Sequence, residues 1–121
     1  MSYSIGEVSA KTGLTAPTIR YYEKEGVLPH IKRNNKGIRE FNDDNIFWID
    51  LIRCLRGTDM SINDIKSIVD LSLEGEHTVE KRKVILQNHK KKIWSQIDEL
   101  LEIIAKIDRK IDNCGSCCKK K

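Results

Sequence analysis

The side chains with the most chemistry to offer fall into two groups. The first is a run of cations between Lys11 and Arg39, where Lys11, Arg20, Lys24, Lys32, Arg33, Lys36 and Arg39 face only Glu23 and Glu25. Hydroxyl and amide donors (Thr15, Thr18, Tyr21, Tyr22, Asn34, Asn35) are interleaved with them. Such a mixture suits phosphate oxygens, which supply most of a protein's affinity for DNA. A solvated basic face has the same composition, so charge alone leaves both readings open. The second group is the thiols. Cys54 stands alone between Arg53 and Arg56, whereas Cys114, Cys117 and Cys118 are bunched near the end. Positive charge beside a thiol favours the reactive thiolate, so Cys54 is a candidate sensor of electrophiles. Its competing reading is a small buried hydrophobe. Three clustered thiols are candidate ligands for a soft metal, Zn or Cu(I), a redox group, or an inert tail. An enzyme has little to stand on here. No glycine loop cradles a phosphate, and His30, His77 and His89 are scattered without a nucleophile–His–acid set.

The bulk numbers narrow the class. With 121 residues the chain is one compact domain, or one small domain plus an appendage. A formal charge of +4, with 39% hydrophobic and 33% charged residues, leaves enough apolar content for a small core and excludes wholesale disorder. No apolar run approaches the roughly 20 residues of a membrane span. The opening Met1-Ser2-Tyr3-Ser4 lacks the basic-then-apolar layout of a signal peptide. A soluble, cytoplasmic protein without membrane contact is expected. The cysteine spacing does not staple loops as a secreted disulfide framework would, and it fits a reducing compartment.

Local signals then define the elements that must carry these groups. Ser4 and Glu7 fit a capping box, and the short helix they open ends at Gly13. Thr15 can cap a second helix that tolerates Pro17 in its first turn and stops at Gly26. Residues 30–41 combine Asn/Gly turn chemistry with short flanks and predict a small β-hairpin, a wing. Asn42 caps a third helix over roughly 43–56, and Ser61 a fourth that runs to about Leu73. From Thr78 the pattern changes, with apolar residues at Val79, Leu86, Ile93, Ile97, Leu100, Ile104, Ile107 and Ile111. The 4-3-4-3-4 steps from Ile93 form a heptad seam. A helix of about 35 residues is about 50 Å long. A small domain cannot bury such a stripe, and the economical cover is a second copy of the same helix, a homodimer. The alternative is that the helix folds back on its own domain.

Two short helices about Gly13-Leu14-Thr15 make a helix-turn-helix, with residues 17–25 as recognition helix. Here the residues resemble a family. The run Ser4-Ile5-Gly6-Glu7-Val8-Ser9, then Thr12-Gly13-Leu14-Thr15-Ala16-Pro17-Thr18-Ile19-Arg20-Tyr21-Tyr22-Glu23 and Gly26-Val27-Leu28-Pro29, is similar to the opening of MerR-family transcription regulators. The likeness continues through Arg33-Asn34-Asn35-Lys36-Gly37-Ile38-Arg39-Glu40-Phe41 and through Leu55–Lys66, and covers nearly the whole chain. Two stretches depart from the family. Its wing usually reads Gly-Tyr-Arg-Tyr-Tyr where this chain has Gly37-Ile38-Arg39-Glu40-Phe41. Its second turn is of Leu-Gly-Phe-Ser type where this chain has Thr58-Asp59-Met60-Ser61.

The resemblance implies a mainly α protein: a winged helix-turn-helix over residues 1–75, a dimerisation helix over 76–112 forming an antiparallel coiled coil, and a Cys/Lys-rich tail over 113–121. It implies a homodimer on a palindromic promoter element that activates transcription by bending and untwisting DNA, with RNA polymerase as partner at the promoter. By position, Thr15, Thr18, Arg20, Tyr21 and Tyr22 would contact bases and backbone, and Arg33 and Arg39 wing phosphates. Tyr22 could instead pack in the core. The surroundings of Cys54 are similar to those in aldehyde- and thiol-stress-responsive members. Metal-sensing members hold their ion just after the long helix, where Cys114, Cys117 and Cys118 fall. In an antiparallel dimer, His77 of the partner subunit would lie near them. A coiled-coil adaptor that binds no DNA would explain residues 78–112 but leaves the basic helix-turn-helix without a role.

Overall fold

The computed structural model describes residues 2–114. Helix α1 (Ile5–Thr12) starts at Ser4, whose hydroxyl accepts from the Glu7 amide while the Glu7 carboxylate accepts from the Ser4 amide. The reciprocal capping box expected from the sequence is therefore present, and it satisfies two donors that a helix start leaves open. Gly13 ends α1 in the left-handed conformation, φ 80°, and its amide donates to the Ser9 carbonyl. Thr15 caps α2 (Ala16–Lys24) by accepting from the Thr18 amide, and Pro17 occupies the first turn. Strands β1 (Lys32–Arg33) and β2 (Arg39–Glu40) pair antiparallel to form the wing. Asn42 and Asn45 cap α3 (Asp43–Gly57) reciprocally, and Ser61 caps α4 (Ile62–Glu74) through the Asp64 amide. A 3-10 turn (Glu76–Thr78) leads into α5 (Val79–Asp112).

The chain divides into two units, one reaching to Ile85 and one from Leu86 onward. The first has a closed core. Val8 of α1, Ile19 of α2, Val27, Phe41, Ile49 and Ile52 of α3, and Ile65 of α4 are all essentially sealed from solvent. Side-chain hydrogen bonds fasten the connections over this core. The Trp48 indole N–H donates to the Val27 carbonyl (2.8 Å), joining α3 to the segment after α2. Buried Thr78 donates to the Leu71 carbonyl (2.6 Å) and accepts from Arg82 Nε (3.1 Å), joining the end of α4 to the start of α5. In the α3–α4 turn Asp59 takes a positive φ (71°), a conformation that favours glycine. Short polar side chains tolerate that conformation better than most. Arg56 donates to the Met60 carbonyl across the same turn (2.9 Å).

The second unit is the rest of α5. Its seam has no cover among the described residues: Ile97, Leu100, Ile104, Ile107 and Ile111 are 37–64% exposed. Trp94, Leu101 and Ile103, beside the seam, are exposed as well. An apolar stripe this wide on a helix calls for a partner.

Candidate nucleic-acid interface

The presentation of α2 follows from its period. At about 100° per residue, Pro17, Arg20, Tyr21 and Lys24 fall on one face, and all four are exposed. Ile19 and Tyr22 share the opposite face and are buried, Tyr22 to 8% exposure. The structure therefore places Tyr22 in the core beneath the helix, in tilted contact with the Tyr21 ring (centroids 5.9 Å apart). Tyr22 lies three positions after Ile19, and that spacing dictates the inward position. Lys24 belongs to the basic run but carries no contact of its own in the sequence reading, and it shares the outward face with Arg20 and Tyr21. The i, i+3, i+4, i+7 rule applied to α2 would have found it.

Thr15 and Thr18 sit at the start of α2, where amides without helical partners point outward and favour anions. Their hydroxyls are hydrogen-bonded to each other (2.8 Å), and Thr15 accepts from the Thr18 amide (3.3 Å). The turn before them is held by Ser9 Oγ donating to the Leu14 carbonyl and by the Leu14 amide donating to Thr12 Oγ1 (3.3 Å). The helix-turn-helix is thus fixed by its own side chains at the point where a recognition helix meets DNA.

The wing is built from little backbone pairing. Each strand has two residues, with Lys32 opposite Glu40 and Arg33 opposite Arg39. Asn34 Oδ1 closes the tip by accepting from the Lys36 and Ile38 amides (2.8 and 3.1 Å), and Gly37 takes φ 78°. Tyr3 extends the ladder, exchanging both backbone hydrogen bonds with Phe41 (2.8 and 2.9 Å). A hydrogen bond to Asp43 holds the Tyr3 hydroxyl above its ordinary pKa, with desolvation and the Asp43 charge adding to it. Lys32 and Lys36 are exposed. Arg39 donates through Nε to Glu23 Oε1 (2.7 Å), and Arg33 Nη2 lies 3.8 Å from the same oxygen. Both wing arginines expected at phosphates are thus tied to the last turn of α2. In sequence Glu23 counted only against the local positive charge.

Cys54 is exposed on α3, whose inward face carries Ile49, Ile52 and Leu55. It is not the small buried hydrophobe of the competing reading. The Arg53 guanidinium holds Asp50 (2.9 Å), and its pKa is raised chiefly by that hydrogen bond, then by the charges of Asp50 and Cys54. The Cys54 carbonyl accepts from the Thr58 hydroxyl (3.0 Å), which connects the thiol-bearing turn to the α3–α4 corner. Cys114 is exposed at the end of the described residues, while Cys117 and Cys118 lie outside them. Among the described residues no group of three His, Cys, Asp or Glu side chains is placed to hold a metal ion. Among them, too, no helix is long and apolar enough to cross a membrane.

Known proteins share this arrangement. The family model described as MerR HTH family regulatory protein matches residues 3–71, and that described as MerR, DNA binding matches residues 48–110. An HTH-type transcriptional regulator of Haemophilus influenzae is 35% identical over 111 residues, which span 92% of this chain and 82% of that protein. The HTH-type transcriptional regulator AdhR of Bacillus subtilis is 40% identical over 90 residues, 74% of this chain and 64% of AdhR. The crystal structure of HiNmlR, a MerR family regulator lacking the sensor domain, bound to promoter DNA, superposes with a TM-score of 0.88. It is 32% identical, with 99% of this chain and 95% of that one covered.

Proposed function

The chain belongs to the MerR family of helix-turn-helix regulatory proteins, and from that premise we propose that it senses a thiol-reactive electrophile through Cys54 while bound to promoter DNA as a homodimer. It is a DNA-binding transcriptional regulator and not an enzyme. In this reading Arg20, Tyr21 and Lys24, with Thr15 and Thr18 at the helix start, meet bases and backbone of a palindromic element. Arg33 and Arg39 serve the flanking phosphates, and RNA polymerase is the partner at the promoter. HiNmlR, solved on promoter DNA, is similar over nearly its whole length and lends this support.

The observation that carries the sensing assignment is the exposure of Cys54 on α3. An electrophile reaches it without unfolding. With an aldehyde, the thiolate sulfur attacks the carbonyl carbon and a C–S bond forms. The C=O π pair moves to oxygen, which takes a proton, leaving a hemithioacetal. The added bulk sits one turn before Thr58, at the corner that sets the direction of α4, and so biases the geometry in which DNA is held.

Dimerisation is supported by the exposed seam of α5 and by its charge. Residues 79–95 hold six basic residues and one acidic, whereas 96–112 hold five acidic and three basic. Antiparallel pairing lays the basic half of one helix along the acidic half of the other, while parallel pairing sets like against like.

Transcription in vitro from the regulated promoter, with formaldehyde and separately with Cu(I) or Zn(II), tests the sensor. Wild type responds to formaldehyde, Cys54→Ser does not, and a variant with Cys114→Ser, Cys117→Ser and Cys118→Ser responds as wild type. A response to metal alone that only the triple variant loses would move the sensor to the terminal thiols.

A further inference from the structure

We infer that Glu23 is a specificity-determining residue that acts through the two wing arginines. This inference rests on the DNA-binding reading above and goes beyond it in the role given to an anion on the recognition helix. Arg33 and Arg39 are direct cross-strand partners in the wing. Like charges opposite each other on an antiparallel pair repel, and strands of two residues have little else to resist the repulsion. Glu23 Oε1 lies 2.7 Å from Arg39 Nε and 3.8 Å from Arg33 Nη2, so one carboxylate offsets one of the two positive charges and ties the wing to α2. The two arginines are not held alike. Arg39 is 24% exposed, next to a carboxylate that is itself 25% exposed, whereas Arg33 is 47% exposed and also donates to the Gly37 carbonyl (3.0 Å).

Two consequences follow for DNA. The wing is fixed relative to the outward face of α2, so its cations reach phosphates in one register with respect to the bases that α2 reads. The carboxylate also removes one unit of positive charge from the surface facing DNA. Sequence-independent binding depends on the number of phosphates neutralised, so it is weakened most. Binding to the cognate element keeps its base contacts, and the held wing costs it less ordering. Glu23 thus lowers affinity for random DNA more than for the cognate element, and it widens the ratio between them.

The test uses the full-length protein, the duplex that wild type selects from a randomised pool, and a scrambled duplex of the same length. Affinities are measured from about 50 to 200 mM salt. Glu23→Gln is expected to bind scrambled DNA more tightly, with a log–log salt slope steeper by roughly one. The ratio of selected to scrambled affinity falls by roughly tenfold. Glu23→Asp, which keeps the charge, retains most of the ratio. In an Arg39→Gln background the Glu23→Gln substitution has a much smaller effect, because its route is gone. An unchanged ratio and slope in Glu23→Gln would overturn the inference. So would an equal loss of affinity for both duplexes, which marks a purely structural tie. A wild-type protein that selects no sequence would overturn the DNA-binding reading itself.

Discussion

Up to Ile85 the chain covers its own apolar side chains. Phe41, Ile49, Ile52 and Ile65 are sealed from solvent, and polar caps open helices α1 to α4. From Ile97 to Ile111 the same kinds of residue stand in the open, with Leu100, Ile104 and Ile107 each more than half exposed. The contrast is not one of composition, since isoleucine serves both regions. It lies in periodicity: short helices with stops can turn their apolar faces toward a common centre, whereas the sustained heptad of α5 leaves its seam exposed among the described residues. The first region covers its own core, and under the proposed function the second supplies the surface for pairing.

Substitutions on either side of this divide should have separable effects. Phe41→Ala removes a sealed aromatic side chain and should cost about 3–5 kcal/mol of folding stability. Thermal unfolding would show it, and the loss should not depend on protein concentration in the manner of an association defect. Ile104→Asp places a carboxylate on the seam and should cost association roughly 3 kcal/mol or more. Sedimentation should then give a monomer whose DNA-binding unit still melts as in wild type. A persisting dimer would erase the contrast. Smaller effects are expected on α2. Arg20→Ala should weaken binding to the selected duplex by about 1–3 kcal/mol if Arg20 reads a base. Lys24→Ala should weaken selected and scrambled duplexes alike, as loss of a phosphate contact does.

Local chemistry made much of the fold legible. The caps at Ser4, Thr15, Asn42 and Ser61 were readable because a short polar side chain before an apolar period has few other uses. Gly13 was readable because the left-handed position after α1 suits glycine. The orientation of side chains within α2 was harder to see. Thr18-Ile19-Arg20-Tyr21-Tyr22 reads as a block of donors until the helical period divides it, and the division sends Tyr22 inward and brings Lys24 outward. The Glu23–Arg39 pair was not legible at all. Its members are sixteen positions apart and meet only because the wing folds back on the end of α2. Asp59 is a case of a missing signal: it takes a left-handed conformation that glycine usually marks, at the cost of a residue in a less favoured conformation.

The most direct test of the account is the stoichiometry of the protein on DNA. Sedimentation of the full-length chain on the duplex it selects should show two copies per duplex, and a half-site duplex should bind far more weakly than the full palindrome. Ile104→Asp should lose this difference, because its two DNA-binding units are no longer joined. One copy per duplex in the wild type, or equal affinity for half and full sites, would contradict the claim that one region reads DNA and the other pairs the readers.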